Sequence, residues 1–168
     1  MKVLETERML LRLMTEEDSD NLLQIFSDSE AMRYYPSTKD LEETRSWIRW
    51  TSKNYKEHGI GLWIAELRET NEFVGQCGLI PQEIEGELEI EIGYLFVRKH
   101  WGKGLATEAA AACKDYGFNQ LGYNRLISTI DKNNEASKRV ATRVGLHFEK
   151  EIFKWNKPIE VYSVNNKE

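Results

Sequence analysis

Strands outnumber helices in this 168-residue sequence, and β-hairpins mix with β-α-β units. That pattern predicts a three-layer α/β or α+β domain on a mixed sheet rather than a doubly wound one. Two stretches carry the prediction. Residues 62–80 hold two apolar runs joined by Thr70-Asn71-Glu72, a hairpin signature. Residues 87–108, ELEIEIGYLFVRKHWGKGLATE, run an alternating strand through a cationic, glycine-bearing turn straight into an alanine-rich helix.

In chain order, residues 8–13 (RMLLRL) read as a first strand. Thr15 followed by Asp18 resembles a capping box with Asp in place of Glu or Gln, and opens a helix through Leu22, Leu23, Ile25 and Phe26. A second helix covers about residues 41–55, with Trp47, Ile48 and Trp50 as candidate core contacts. Gly59 and Gly61 lead into the hairpin strands 62–67 and 73–80, and residues 85–97 form the long central strand. A helix over 104–118 and a strand over 125–130 follow. Residues 135–144 read as a short helix with Asn134 as N-cap and Gly145 just past its end. Strands near 147–154 and 159–164 close the chain. No linker, repeat or low-complexity run interrupts this order, so residues 1–168 read as a single domain.

The formal net charge of −5 argues against nucleic acid or an anionic lipid surface as partner and mildly favours cationic partners, amines included. Cys77 and Cys113 are too few for a disulfide framework or a zinc site, and no metal is expected. No stretch approaches the ~20 apolar residues of a membrane span, and residues 1–13 lack a signal-peptide pattern. A cytoplasmic protein, monomeric or homodimeric, is the expectation.

At period two, Glu85, Glu87, Glu89 and Glu91 share one face of the central strand with Gly93 and Leu95, while Leu88, Ile90, Ile92, Tyr94 and Phe96 share the other. Glu85 and Glu87 read as a solvated acidic edge. Glu89 and Glu91 precede Gly93, and a glycine inside a strand marks a bulge or a close backbone approach. A carboxylate beside such a break can orient a water or accept a proton.

The turn that follows, RKHWGKGLAT, concentrates three Arg or Lys residues and a histidine in six positions of an acidic protein. Gly102 and Gly104 let the backbone turn its N–H groups inward at a helix N-terminus, a ready anion site. Two other phosphate motifs fail on spacing. A P-loop requires glycine where Val97 stands and Ser or Thr where Gly104 stands, and a dinucleotide fingerprint requires Gly or Ala where Thr107 stands.

The segments Glu91-Ile92-Gly93-Tyr94 and Trp101-Gly102-Lys103-Gly104-Leu105-Ala106-Thr107-Glu108-Ala109 resemble the acetyl-CoA-binding core of the GNAT superfamily of N-acetyltransferases, and look most like its Rim-type, ribosomal-protein-alanine branch. The segment Asp131-Lys132-Asn133-Asn134-Glu135-Ala136-Ser137 is similar to that branch's Asn-x-x-Ser helix, and Glu7-Arg8-Met9-Leu10-Leu11-Arg12 to its first strand. The resemblance implies a mixed, mostly antiparallel sheet with splayed central strands and helices on both faces. It also implies that Leu95, Phe96 and Val97 offer strand-edge groups to the pantetheine arm. His100, Trp101, Gly102, Lys103, Gly104, Leu105, Ala106 and Thr107 would wrap the pyrophosphate, with Asn134 and Ser137 at the thiol end. One departure stands out: the superfamily's Arg/Gln position falls on Trp101.

The implied reaction is direct attack of a primary amine on the thioester of acetyl-CoA. Glu91 is the leading base, with Glu89 second, and Ser137 or a nearby tyrosine would protonate the thiolate. A backbone N–H near Phe96 would polarise the carbonyl. The first two helices and the loop between them, Tyr34-Tyr35-Pro36-Ser37, would set acceptor specificity, and the aromatics there, with Trp47, Trp50 and Trp63, line either a pocket or the core. A protein N-terminus is the first acceptor reading, and a small amine (polyamine, amino acid or aminoglycoside) the second. A non-catalytic acyl-CoA-binding sensor is the reading from another class.

Overall fold

The computed structural model describes residues 1–167. Its strands are β1 (Lys2–Glu5), β2 (Met9–Leu13), β3 (Leu62–Leu67), β4 (Phe73–Ile84), β5 (Glu87–Phe96), β6 (Arg125–Asp131), β7 (His147–Lys154) and β8 (Lys157–Asn165). Its helices are α1 (Ser19–Phe26), α2 (Leu41–His58), α3 (Leu105–Asn119) and α4 (Glu135–Val144). The strands form one sheet in the order β1-β2-β3-β4-β5-β6-β8-β7. Every neighbouring pair is antiparallel except β5 and β6.

Alternation along the strands builds two cores. Trp63, Ala65, Cys77, Leu79, Ile92 and Phe96 pack with Leu105, Ala109 and Cys113 of α3 and with Ala141 and Val144 of α4. Leu62, Ile64 and Ile80 pack on the opposite face with Leu22, Ile25 and Phe26 of α1 and Ile48 of α2. The fold is the mixed sheet with helices on both faces that the sequence implied. Of the three α2 residues expected in the core, only Ile48 is buried there; Trp50 is exposed and Trp47 half-buried. Both tryptophans line a cavity instead.

Two boundaries also differ. β1, which sequence reading passed over, is a four-residue edge strand with partly exposed side chains and little periodic signal. β4 runs on to Ile84, and a turn through Glu85 (φ 51°) and Gly86 (φ 83°) takes Glu85 out of the central strand.

One polar knot holds the α1 side. Asp18, 2% exposed, receives two hydrogen bonds from the Arg12 guanidinium, at 2.7 and 2.9 Å, and one from the Thr15 N–H at 2.8 Å. Arg12 also reaches Glu66 at 3.1 Å.

The feature that positions the site lies mid-sheet. β5 and β6 share a single register pair, Glu91 with Ile127, and Ser128 Oγ donates to the Ile92 carbonyl at 2.8 Å. Beyond that point the two strands part, as the splayed centre implied.

Candidate active site

Past the end of β5, the chain makes one 3-10 turn over Arg98–His100 and enters α3 through Gly102 (φ 78°) and Gly104 (φ 80°). Gly104 is the N-cap residue and has no side chain to offer; the first backbone bond of α3 runs from the Glu108 N–H to the Gly104 carbonyl at 3.1 Å. The N–H groups of Leu105, Ala106 and Thr107 are therefore left as donors at the positive end of a four-turn helix. Arg8 braces the turn from β2: its Nη1 donates to the Lys103 carbonyl at 2.9 Å and its Nε to Glu108 at 2.7 Å. Thr6 adds a bond to Glu108 at 2.5 Å.

The cations of this turn serve mostly internal contacts. Arg98 pairs with Asp28 at 3.0 Å, Lys99 with Glu72 at 3.0 Å, and buried His100 sets Nε2 against Glu72 at 2.8 Å. Lys103 Nζ lies 3.3 Å from His100 Nδ1, which fits a ring donating from Nε2 and accepting at Nδ1. The Trp101 indole N–H donates to the Phe96 carbonyl at 2.9 Å. An anion at this turn would meet backbone amides more than free charged side chains. Gly104→Ala tests the turn: a Cβ would meet Arg8 only at 3.5 Å, so the cost is backbone strain. At roughly 1–2 kcal/mol, this is expected to lower the Tm by about 2–6 °C and to raise KM for the anionic ligand more than it changes kcat.

A cavity of about 400 Å³ opens where β5 and β6 part, and it reaches both faces of the sheet. Phe26, Trp47 and Trp50 line one side, and Tyr35 and Trp155 approach across it with ring centroids 6.1 Å apart. Trp155 (φ 55°) and Asn156 (φ 58°) form the tip of the β7–β8 hairpin, which docks on the loop after α1 through a 2.8 Å bond from Lys157 Nζ to the Tyr34 carbonyl.

Glu91 lines this cavity and is buried. Gln82 donates to its Oε1 at 3.0 Å, and the Thr129 N–H and hydroxyl both donate to its Oε2 at 2.6 Å. Burial outweighs these bonds and the nearby Lys154 ammonium, and holds the Glu91 pKa above the ordinary carboxylate range. Tyr35 sits close enough to feel that carboxylate; enclosure of its hydroxyl first, and Glu91 second, raise its pKa, although 38% of the residue is exposed. Across the split, the Tyr94 hydroxyl lies 3.0 Å from Ser137 Oγ and 3.0 Å from the Ser137 carbonyl. Burial raises its pKa well above normal, so it keeps its proton. Asn134 caps α4 by accepting the Ser137 N–H at 3.1 Å, and both residues line the cavity.

The chain's residues 8–147 match the family described as Acetyltransferase (GNAT) domain. The chain belongs to the GNAT family of acetyltransferases. It is 49% identical over 160 residues to the uncharacterized protein YkkB of Bacillus subtilis, covering 95% of this chain and 93% of that one. It is 30% identical over 152 residues to a spermidine N(1)-acetyltransferase of Escherichia coli K12, covering 84% and 74%. The crystal structure of a GNAT-family acetyltransferase from Bacillus anthracis superposes with a TM-score of 0.83 at 30% identity over the whole of both chains. A ribosomal L7/L12 α-N-protein acetyltransferase in complex with coenzyme A shares the fold, with a TM-score of 0.81 at 17% identity over 98% of each chain.

As a GNAT enzyme the protein is an acetyl-CoA-dependent N-acetyltransferase, and its residues fit that co-substrate. The unpaired amides of Leu105, Ala106 and Thr107 match a pyrophosphate. The open edge of β5 offers a peptide-like arm a partner strand. Backbone groups on a strand point alternately to its two neighbours, and the Val97 N–H donates to the Val74 carbonyl at 2.9 Å. Val97 and Leu95 thus face β4, whereas Tyr94 and Phe96 face the split. Of the three strand-edge residues expected from sequence, Phe96 is on the open edge, and Tyr94 was missed there. Glu89 is not in the cavity: the Arg125 guanidinium holds it at 3.0 Å, and Glu149 joins the same guanidinium at 2.7 Å. Both ring nitrogens of His100 have protein partners, Glu72 at Nε2 and Lys103 at Nδ1. Gln82, Thr129 and Trp155 carried no signal in the sequence, because only the folded sheet brings the first two to Glu91 and only the β7–β8 hairpin brings Trp155 to the same cavity.

Proposed function

We propose that the protein acetylates an α-amino group, with Glu91 as the base and the Tyr94–Ser137 pair as the proton donor. The observation that carries this reading is a buried carboxyl, raised in pKa, facing the cavity at the break in the sheet. Deprotonating an α-amine of pKa ~7.8 costs roughly 1 kcal/mol at pH 7, against roughly 4.6 for a lysine-like amine, so one tuned carboxylate suffices for the former.

Acetyl-CoA supplies an acyl group activated as a thioester. The amides of 105–107 hold its pyrophosphate, Tyr94 and Phe96 align its arm, and Asn134 meets the thiol end. Glu91, directly or through a water, takes the proton from the acceptor nitrogen. That nitrogen forms the new C–N bond as the C–S bond breaks. Tyr94, hydrogen-bonded to Ser137, returns a proton to the departing sulfur.

A polypeptide N-terminus is the first acceptor reading, in keeping with the Rim-type character of the WGKGLATEA segment; the spermidine-acetylating relative keeps small amines as the second. Thiol release from acetyl-CoA across peptide N-termini, polyamines and free amino acids is the test, and turnover confined to ε-amines would refute the α-amine reading. Tyr94→Phe is expected to lower kcat about 10²-fold without changing acetyl-CoA affinity. If Ser137→Ala does so and Tyr94→Phe does not, the donor is Ser137.

A further inference from the structure

The cavity's aromatic surfaces look suited to a cation, but the protein's own lysines already occupy them. Lys39 Nζ lies 5.2 Å from the centre of the Trp47 ring and 5.8 Å from that of Phe26. Lys154 lies 4.8 Å from the centre of Trp155, and Lys157 lies 5.8 Å from it. Lys39 and Lys154 both line the cavity, and among the described residues neither forms an ion pair or a side-chain hydrogen bond.

The carboxylates on the same wall have other partners. Asp131 is joined to Lys157 at 2.5 Å, and Glu91 accepts three hydrogen bonds and lies within the field of Lys154. A second ammonium on the acceptor would therefore meet two lysines and no spare carboxylate. Lys154, close enough to act on Glu91, favours the charged form of the base. Lys39, on the α2 side, has no anion of its own.

We propose that the acceptor carries, besides its amine, a carboxylate or other anionic group, and that Lys39 binds it. The inference rests on the cavity being the acceptor site. It excludes polyamines and selects free amino acids or peptides with an acidic residue near the N-terminus. A charge-assisted contact of this kind corresponds to roughly tenfold or more in affinity.

The test compares an aromatic amino acid, its decarboxylated amine, a peptide with glutamate at its second position, the matched glutamine peptide, and spermidine. The acid-bearing member of each pair is expected to show a kcat/KM about tenfold higher, carried by KM and eroded by salt. The better pair tells a free amino acid from an acidic peptide. Lys39→Glu is expected to reverse the preference and to admit spermidine, with acetyl-CoA binding unchanged. A wild-type enzyme that takes spermidine or the decarboxylated amine as well as the acid overturns the proposal.

Binding of the N-acetylated amino acid against its amide, read by thermal shift, separates the two claims. Acid-selective, Lys39-dependent binding without turnover of any amine leaves the anion site standing and sinks the transfer chemistry. Indifference to the carboxylate sinks the anion site alone.

Discussion

Glu91→Gln is expected to lower the acetylation rate by roughly 10²–10⁴-fold while acetyl-CoA binds as before. The substitution preserves shape and an acceptor oxygen for Thr129, and Gln82 can turn its own amide to match, so loss of folding would not explain the result. The pH dependence follows from the raised pKa. Wild-type kcat/KM should climb as Glu91 loses its proton above the ordinary carboxylate range, and the variant should lose that limb. Stability moves the other way. A carboxyl whose folded-state pKa is raised contributes fully below the unfolded value, and loses that contribution as pH rises through the folded value. Glu91→Gln should therefore match or exceed the wild-type Tm near pH 8, with the gap closing toward acid. Full activity in the variant would remove Glu91 as base.

Arg12→Ala should produce the largest loss of stability of any single change proposed for this protein. It strands Asp18, 2% exposed, with only backbone and neutral donors. Breaking such a buried pair costs about 3–5 kcal/mol, which corresponds to a Tm about 10 °C lower. Burial alone would raise the Asp18 pKa, but the bonds from Arg12 and Thr15 overcome it and leave the value below normal. A carboxylate lowered in this way stabilises the fold above its unfolded pKa and loses that contribution as pH falls through its folded value. Wild-type thermal stability should thus decline in acid, and the Arg12→Ala curve should be flatter there. Adding Asp18→Asn to Arg12→Ala should recover part of the loss, because the stranded charge is gone. Equal Tm values for wild type and Arg12→Ala would show that the pair carries no net stability.

What the sequence disclosed follows from how local each feature is. The turn 102–107 was legible because glycines at positive φ and a helix start are properties of contiguous residues. Glu91 was legible through strand alternation and Gly93. Tyr94 was assigned correctly to the opposite face, yet that face joins the same cavity once β5 and β6 separate, and no periodicity reports the parting of two strands. Glu89 had the same local pattern as Glu91; what divides them is Arg125, thirty-six positions downstream and brought alongside by the sheet. Trp47 and Trp50 follow a helical apolar period whether they face a core or a cavity, so their place depends on what lies opposite.

The parting of β5 from β6 also bears on how the molecule lasts. Between β1–β5 and β6–β8 the sheet has one register pair, helped by side-chain bonds from Ser128, Thr129 and Arg125 of β6 to β5, so a ligand lying along the seam would join two halves of the domain as well as feed a reaction. Binding that favours the folded chain adds RT ln(1 + [L]/Kd) to its stability, about 2.7 kcal/mol at a hundredfold excess over Kd. The Tm is therefore expected to rise with acetyl-CoA concentration once that concentration exceeds Kd, as a thermal-shift titration would read.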